Sequence, residues 1–543
     1  MAIDEGEFEG DERSGFRKAL DSVFGIDARS LALFRMVIAL LVLVDIYVRW
    51  PTLADFQTDD GAFSRAACLE FYEGQGIVKN GLIPDQPLPL WSWHLISGQL
   101  WLQQTLVGMQ AGAAILLLFG FRTRLMTFVV WLLMISLHVR NPIVLNSGDT
   151  LLRMLLFWAI FLPLGARWSF DKLMRPAARL STAAVTSVAS AAILIQLCVM
   201  YWFTGIAKSN ELWFTGRALE NVLELDLLTR PWGKRLLAYP DLMRWFTLGT
   251  VYGELILPCL LFIPWRTHWF RLLNIAIAWV FHLGIVLTMS VGLFSAISMA
   301  AWLLFLPRQF WDSTVVRGLL GSLLGSASMV ESDAVGRRVA IEDETPAWKR
   351  YGGIALQSFV GLVLVYVICW NLSRVRPDDP ILTKFMPKPI QGPGQMLMLA
   401  QEFKMFDQPP ALDFWFVYEA RLRNGQTLDL FSGKPIEGEG KPKDIFSRYR
   451  DHRWRRLHAN LMNPEYVMLR RPLTEFLVRR WNETHSSDFQ VSHVTMRFFQ
   501  RFSNEAEDDQ HIVSENWVDI TVDDESPIDG LLQSLESGGR LLP

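Results

Sequence analysis

Long apolar segments separated by short charged connections dominate the first two-thirds of this 543-residue chain. A helix needs roughly 20 mostly apolar residues to cross the hydrocarbon core of a bilayer. Nine segments meet this need, at about 31–49, 100–120, 125–140, 150–166, 182–207, 245–263, 270–288, 290–306 and 353–372. The sequence therefore predicts a polytopic α-helical membrane protein with about nine transmembrane helices. Counts of eight or ten also fit, because several segments are short or barely separated.

Basic residues in the connecting loops predict how the helices are oriented. The short loops on the same side as the N-terminus contain more of these residues than the loops on the other side. Examples are Arg122 with Arg124 and Arg266 with Arg271. Cytoplasmic loops show this enrichment. We therefore expect a multi-pass protein of the cell inner (plasma) membrane, with a cytoplasmic N-terminus and an extracytoplasmic C-terminal domain. An error of one in the helix count would reverse the second assignment.

Composition divides the chain into three parts. Residues 1–30 are an acidic N-terminal tail with an amphipathic segment, and they lack the basic start of a cleaved secretory signal. Residues 31–372 contain the apolar segments and form the predicted transmembrane domain. Residues 373–543 have the composition of a soluble protein and begin with Pro-rich stretches, which favour a linker that wraps over the membrane domain.

The soluble part is predicted to be an α+β domain. Residues 414–423 alternate between apolar and polar side chains, and the Asn424-Gly425 pair that follows favours the tight turn of a β-hairpin. Further strands are predicted at 489–502 and 516–522. Residues 452–482 have a helical and strongly basic pattern, which we interpret as a solvated face rather than a ligand site.

Ionisable side chains inside apolar segments are costly in a bilayer, so each is a candidate for function. Followed along alternating helices, they converge on the outer half of the membrane. The candidates are Asp45, His138, Asp149, Arg153, Lys208, Glu254 and His282.

Most of these candidates also have a structural interpretation. The spacings Asp45–Arg49 and Asp149–Arg153 are i,i+4, and such pairs can simply neutralise each other, which we favour for both. A lone histidine on an apolar face is more often a hydrogen-bonded packing residue, which covers His138 and His282. Glu254 stays open between structure and function, because a carboxylate at this depth needs a partner or a proton.

Lys208 ends an apolar helix at the sequence YWFTGIAK, residues 201–208. Most lysines at such a place extend to the lipid headgroups, and the physics of the sequence alone favours that interpretation. The alternative is a lysine that desolvation keeps neutral, so that it can act as a base.

Several extended motifs resemble the horizontally transferred transmembrane (HTTM) family, the bacterial relatives of vitamin K-dependent gamma-carboxylase. They are FRTR at 121–124, HVRNP at 138–142, LNSGD at 145–149, FLPLGARWS at 161–169 and TMSVGLF at 288–294. Residues 201–208 are similar to the segment before the catalytic base of the carboxylase family, with Lys208 in the position of that base and Trp213 matching a following tryptophan.

The resemblance implies a membrane enzyme of the lyase class. Lys208 would deprotonate reduced vitamin K or another quinol, oxygen would convert the quinol to a strong base, and carbon dioxide would add to a glutamyl side chain. The expected partners are the lipid bilayer and a protein or peptide substrate held by the extracytoplasmic domain. We predict no metal, and the net charge of -3 gives no reason to expect nucleic acid.

The chain departs from the family at two places. A histidine that animal members use to epoxidise the quinone aligns with Gly148, where Asp149 is the nearest substitute. The extracytoplasmic disulfide is also missing, because Cys68 matches one partner but the C-terminal domain has no cysteine. The alternative function is therefore a non-catalytic membrane module in peptide maturation, export or complex assembly. A transporter is disfavoured by the lack of an internal repeat.

Overall fold

Helices make up most of the chain in a computed structural model, which describes residues 5–74, 91–174, 184–324, 347–375, 381–387, 390–401, 405–410, 412–436, 442, 444–502 and 512–522. The α-helices of the N-terminal two-thirds are Glu5–Phe24, Ala28–Arg49, Leu53–Gln57, Arg65–Gly74, Leu100–Phe119, Thr123–Arg140, Ser147–Ala159, Phe170–Met174, Val188–Ala207, Glu211–Phe214, Ala218–Glu224, Pro231–Leu236, Pro240–Leu260, Thr267–Thr288, Phe294–Trp302, Arg308–Trp311, Thr314–Leu324 and Ala347–Val375. Those that follow are Gly392–Met396, Ile445–Arg448, His452–Asn460 and Arg470–Asn482. Short 3-10 helices occupy Trp50–Thr52, Trp93–Leu95, Leu303–Phe305, Leu382–Phe385, Pro464–Leu469 and Ser487–Phe489.

Six of the described helices are long and apolar enough to cross a membrane. They are Ala28–Gln57, Leu100–Phe119, Thr123–Arg140, Val188–Ala207, Thr267–Thr288 and Tyr351–Arg374. Each corresponds to one of the nine predicted segments. The prediction of a multi-pass membrane protein is therefore confirmed, whereas the count of nine is not.

The other three predicted segments form helices of a different kind. Ser147–Ala159 has 13 residues, or about 20 Å at about 1.5 Å per residue, which is shorter than a hydrocarbon core of about 30 Å. Phe294–Phe305 is also too short to span. These two helices pack against each other and are largely buried. The third, Pro240–Leu260, has 21 residues but is too polar to be among the six.

The C-terminal part contains an antiparallel sheet of four strands. Its order is Thr427–Asp429, Leu412–Leu422, Val491–Phe502 and Ile512–Thr521. The first two strands form the predicted hairpin around Asn424-Gly425, and Gly425 has the positive φ of 87° that such a turn needs. The outer strand begins at Ile512, four residues before the predicted 516. A separate two-stranded pairing joins Ile26–Asp27 to Ala184–Val185.

The predicted basic helix at 452–482 is two helices, and its interpretation as a solvated face fits Arg471, whose side chain is 69% exposed, but is wrong for Arg453. His452–Asn460 and Arg470–Asn482 are separated by the 3-10 helix Pro464–Leu469, and Asn463, directly before Pro464, has the extended backbone that a following proline favours. Arg453 is only 1% exposed. This side chain faces the membrane helices instead of solvent.

Helix His452–Asn460 attaches the C-terminal domain to the membrane helices. The Arg453 guanidinium lies 2.6 Å from the Asp45 carboxylate, and Asn460 donates to the carbonyl of Ile143 at 2.6 Å. The rings of Trp454 and Phe56 pack with their centroids 4.8 Å apart. Much of the soluble domain's basic charge is thus used inside the molecule.

Candidate active site

A close approach of two helices brings Lys208 to its partner. Lys208 is the C-terminal cap of Val188–Ala207, which ends where Asn210 caps the following short helix. A Cβ atom at Gly205 would lie 2.9 Å from the Leu255 side chain and 3.3 Å from the Cβ of Glu254. Glycine at position 205 therefore lets helix Pro240–Leu260 come near enough for Lys208 to reach Glu254.

The Lys208 ammonium forms a buried ion pair with Glu254. Its Nζ donates to both carboxylate oxygens, at 2.9 and 2.7 Å, and the two residues are 3% and 8% exposed. The interpretation of Lys208 as a lysine that extends to the headgroups is therefore wrong, because a counter-ion within the protein holds it in place. The ring of Trp213 lies 5.3 Å from Nζ and covers the pair.

His282 belongs to a hydrogen-bond network next to this pair. Tyr201 accepts a hydrogen bond from the indole of Trp302 at 2.8 Å, so its own hydroxyl hydrogen is available for His282 Nε2 at 2.7 Å. This arrangement assigns the proton of a neutral imidazole to Nδ1. The Nδ1 atom is buried and has no hydrogen-bond partner among the described residues.

Both groups line one cavity of about 410 Å³. Its polar side chains are few, and most of its wall is aliphatic or aromatic, as is usual for sites that bind apolar molecules. Wall residues of helices Pro240–Leu260 and Thr267–Thr288, such as Trp245 and Val280, are also 71% exposed on the outer surface. In a bilayer this surface contacts lipid, so the cavity lies directly behind a lipid-facing wall.

The remaining candidates form a second group, which we call the Asp45 cluster and define as Asp45, Arg49, His138, Asp149, Arg153 and Arg453. The sequence predicted that the candidates share one level of the membrane, and in the structure they form two separate groups. Asp45 binds Arg49 at 3.0 Å, as its spacing predicted, and also Arg453. Asp149 binds Arg49 at 2.8 Å, so its predicted pairing with Arg153 is wrong.

Arg153 instead uses neutral partners. It donates to His138 Nδ1 and to the backbone carbonyl of Met398, both at 2.9 Å. Because His138 accepts at Nδ1, its Nε2 carries the proton and points towards Asp149 at 3.7 Å. The predicted packing role of a hydrogen-bonded histidine fits this geometry.

The local packing at Gly148 leaves no room for a side chain. A Cβ there would lie 2.9 Å from the backbone nitrogen of Phe294. The imidazole of His452 lies near this segment. A Cβ atom added at Gly292 would lie 2.9 Å from the His452 ring and 2.9 Å from the Asn146 side chain. Burial, together with the neighbouring Arg453, lowers the pKa of His452 to about 4.

Sequence reasoning missed three contributors. Tyr201 and Trp302 orient His282, and the nearest signal was the Tyr201 that begins the 201–208 motif. Arg453 contributes to the Asp45 cluster from 408 residues further along the chain, which no local pattern can reveal. Among the described residues, no group of three or more His, Cys, Asp or Glu side chains is placed to hold a metal ion. All four cysteines are unpaired.

Comparison with known proteins gives one match. Residues 87–311 match the family model described as HTTM domain. No curated protein and no solved structure matches the chain. The matched range contains Lys208, Glu254 and His282, together with every motif that carries the resemblance. Asp45 and Arg453 lie outside it.

Proposed function

This chain carries an HTTM domain, and on that premise we propose that it is a quinol-dependent membrane enzyme that modifies glutamyl side chains of a protein or peptide. The observation that carries the proposal is the Lys208–Glu254 pair inside an apolar cavity behind a lipid-facing wall. A base in such a place suits a substrate that is itself dissolved in lipid.

The residues of the cavity fit a quinol. Aromatic and aliphatic side chains such as Phe281 and Ile285 would hold its rings and its apolar tail. His282 also lines this space, and its buried Nδ1 has no hydrogen-bond partner among the described residues. Reduced vitamin K or another quinol would supply, with oxygen, the strong base that allows carbon dioxide to add to a glutamate.

Lys208 Nζ is the atom that takes the proton from a bound hydroxyl group. The ion pair provides the route, because Glu254 accepts the proton that Lys208 gives up before Nζ takes the next one. The pair gains one proton in all, and the negative charge moves from Glu254 to the ligand oxygen. The site therefore never holds an uncompensated charge, which would be costly at this depth. Trp213 excludes water from Nζ.

The proposed enzyme lies in the inner (plasma) membrane with its C-terminal domain outside the cytoplasm. This orientation rests on the distribution of Lys and Arg between the loops. It would place the domain on the side where exported peptides are met.

The test uses the full chain in lipid nanodiscs with a reduced naphthoquinone and an acidic peptide. Oxygen consumption and incorporation of labelled bicarbonate should both fall at least a hundredfold in Lys208→Met, the range of a lost general base. The exposed Lys384 supplies a matched control, Lys384→Met, which should keep both activities. Equal activity in the two variants would remove Lys208 from the mechanism.

Gly148 favours the second candidate function, a non-catalytic module in peptide maturation, export or complex assembly. The residue has no side chain and no space for one, so the epoxidation step lacks its histidine. A module of this kind would co-purify with partner proteins, consume no oxygen with any quinol and tolerate Lys208→Met in cells.

A further inference from the structure

A second cavity, of about 350 Å³, lies where the C-terminal domain meets the membrane helices. Three arginines line it, Arg153, Arg374 and Arg456, and the described residues of its wall include no Asp or Glu. The nearest acid of the Asp45 cluster, Asp149, is bound to Arg49. The lining of this cavity therefore carries a net positive charge.

The three arginines are not equally engaged. Arg153 has two neutral partners, and Arg374 stacks on Trp370 at 5.1 Å. Arg456 is exposed to the cavity and makes no hydrogen bond or ion pair with a described residue. The surrounding protein, which partly shields this guanidinium from water, lowers the pKa of Arg456, and a carboxylate beside it would favour the charged form.

From this geometry we infer that the second cavity binds a carboxylate side chain of an acidic peptide. Guanidinium groups recognise carboxylates through paired hydrogen bonds. The side chains of Ser147, Thr150 and Gln395 also line the cavity without a hydrogen-bond partner among the described residues. Their oxygens can accept from the N–H groups of a peptide and their hydrogens can donate to its carbonyl groups, whereas a lipid phosphate would use only the hydrogens. These groups favour a peptide over an anionic lipid.

The linings of the two cavities come into direct contact through packed residues at one point. Asn146 and Ser147 line the second cavity, and the adjacent Gly148 packs directly on Phe294, which lines the Lys208 cavity. Met398 also lines the second cavity, and Phe406 lines the first. A peptide bound here would lie next to the proposed quinol site. The use of that proximity in catalysis rests on the proposed function, while the binding itself does not.

The experiment measures peptide binding to the full chain in nanodiscs of zwitterionic lipid, without any quinone. The ligand is a blocked Ala-Glu-Ala-Glu-Ala peptide, and its partner has Gln in place of both Glu residues. We expect the Gln peptide to bind roughly tenfold to a hundredfold more weakly, as for a lost charge-assisted hydrogen bond. Arg456→Gln should lower the affinity for the Glu peptide by a similar factor, and Arg456→Lys should lower it by less.

Arg471→Gln is the matched control, because Arg471 is an exposed arginine of the same domain that pairs only with Glu475 on the surface. It should leave binding unchanged. Equal binding of the Glu and Gln peptides, or full affinity in a folded Arg456→Gln protein, would overturn the inference. The inference would also be overturned if the protein bound phosphatidylglycerol and bound no peptide when phosphatidylglycerol was left out. Lys208→Met should keep the affinity, so a failure of the proposed chemistry would not be mistaken for a failure of this site.

Discussion

Loss of the charge on Lys208 should destabilise the membrane domain as well as abolish proton transfer. Its Nζ lies 2.7 and 2.9 Å from the carboxylate oxygens of Glu254, where the attraction is about 6 kcal/mol at an effective dielectric constant of about 20. Much of this attraction offsets the cost of taking both charges out of water. Removing one partner leaves the other charge buried and unpaired, which costs about 3–5 kcal/mol.

A double variant separates the structural effect from the chemical one. Lys208→Met and Glu254→Leu should each lower the Tm of the purified protein by roughly 5 °C or more. The two substitutions together should restore most of the Tm, because apolar side chains of similar volume replace a buried ion pair at little net cost. All three proteins should lack quinol oxidation.

The measurement is thermal unfolding in one detergent, followed by intrinsic tryptophan fluorescence, with oxygen uptake recorded on the same samples. Lys384→Met again controls for the loss of a positive charge. A Lys208→Met protein as stable as the unchanged chain would refute the reasoning that the two charges depend on each other. Activity in the double variant would show that the pair is not the base.

Two further predictions concern packing. Gly148→Ala should cost about 1–3 kcal/mol, because its Cβ would lie 2.9 Å from the Phe294 backbone. Gly112→Ala, in a helix where nothing lies within 4 Å of the new Cβ, should be neutral or stabilising, and equal Tm changes for the two would contradict the packing argument. Asp45→Asn and Arg453→Gln should be non-additive, with a coupling of about 0.5–3 kcal/mol in a double-mutant cycle of Tm measurements, because the two groups are 2.6 Å apart. Additive effects would mean that this contact does not hold the C-terminal domain to the membrane helices.

Local patterns were enough to predict the elements whose formation depends on nearby residues. Apolar segments of about 20 residues become membrane helices because the backbone must satisfy its own hydrogen bonds in lipid. The alternation at 414–423 and the Asn424-Gly425 turn define the hairpin for the same kind of local reason. The sequence also identified buried charges within the apolar segments, such as Asp45 and Glu254, since these stand out against an apolar background.

Only the tertiary structure decided which charges meet. Lys208 and Glu254 are 46 residues apart, and Asp45 and Arg453 are 408 residues apart. Whether a lysine at a helix end extends to solvent or folds back depends on a carboxylate from another helix, and on the glycine at 205 that lets that helix approach. The same holds for Arg453 of the helix at 452–460, because it is buried against Asp45, which lies in the first third of the chain. Hydrophobic patterning acts over a few residues, whereas charge pairing depends on the whole fold.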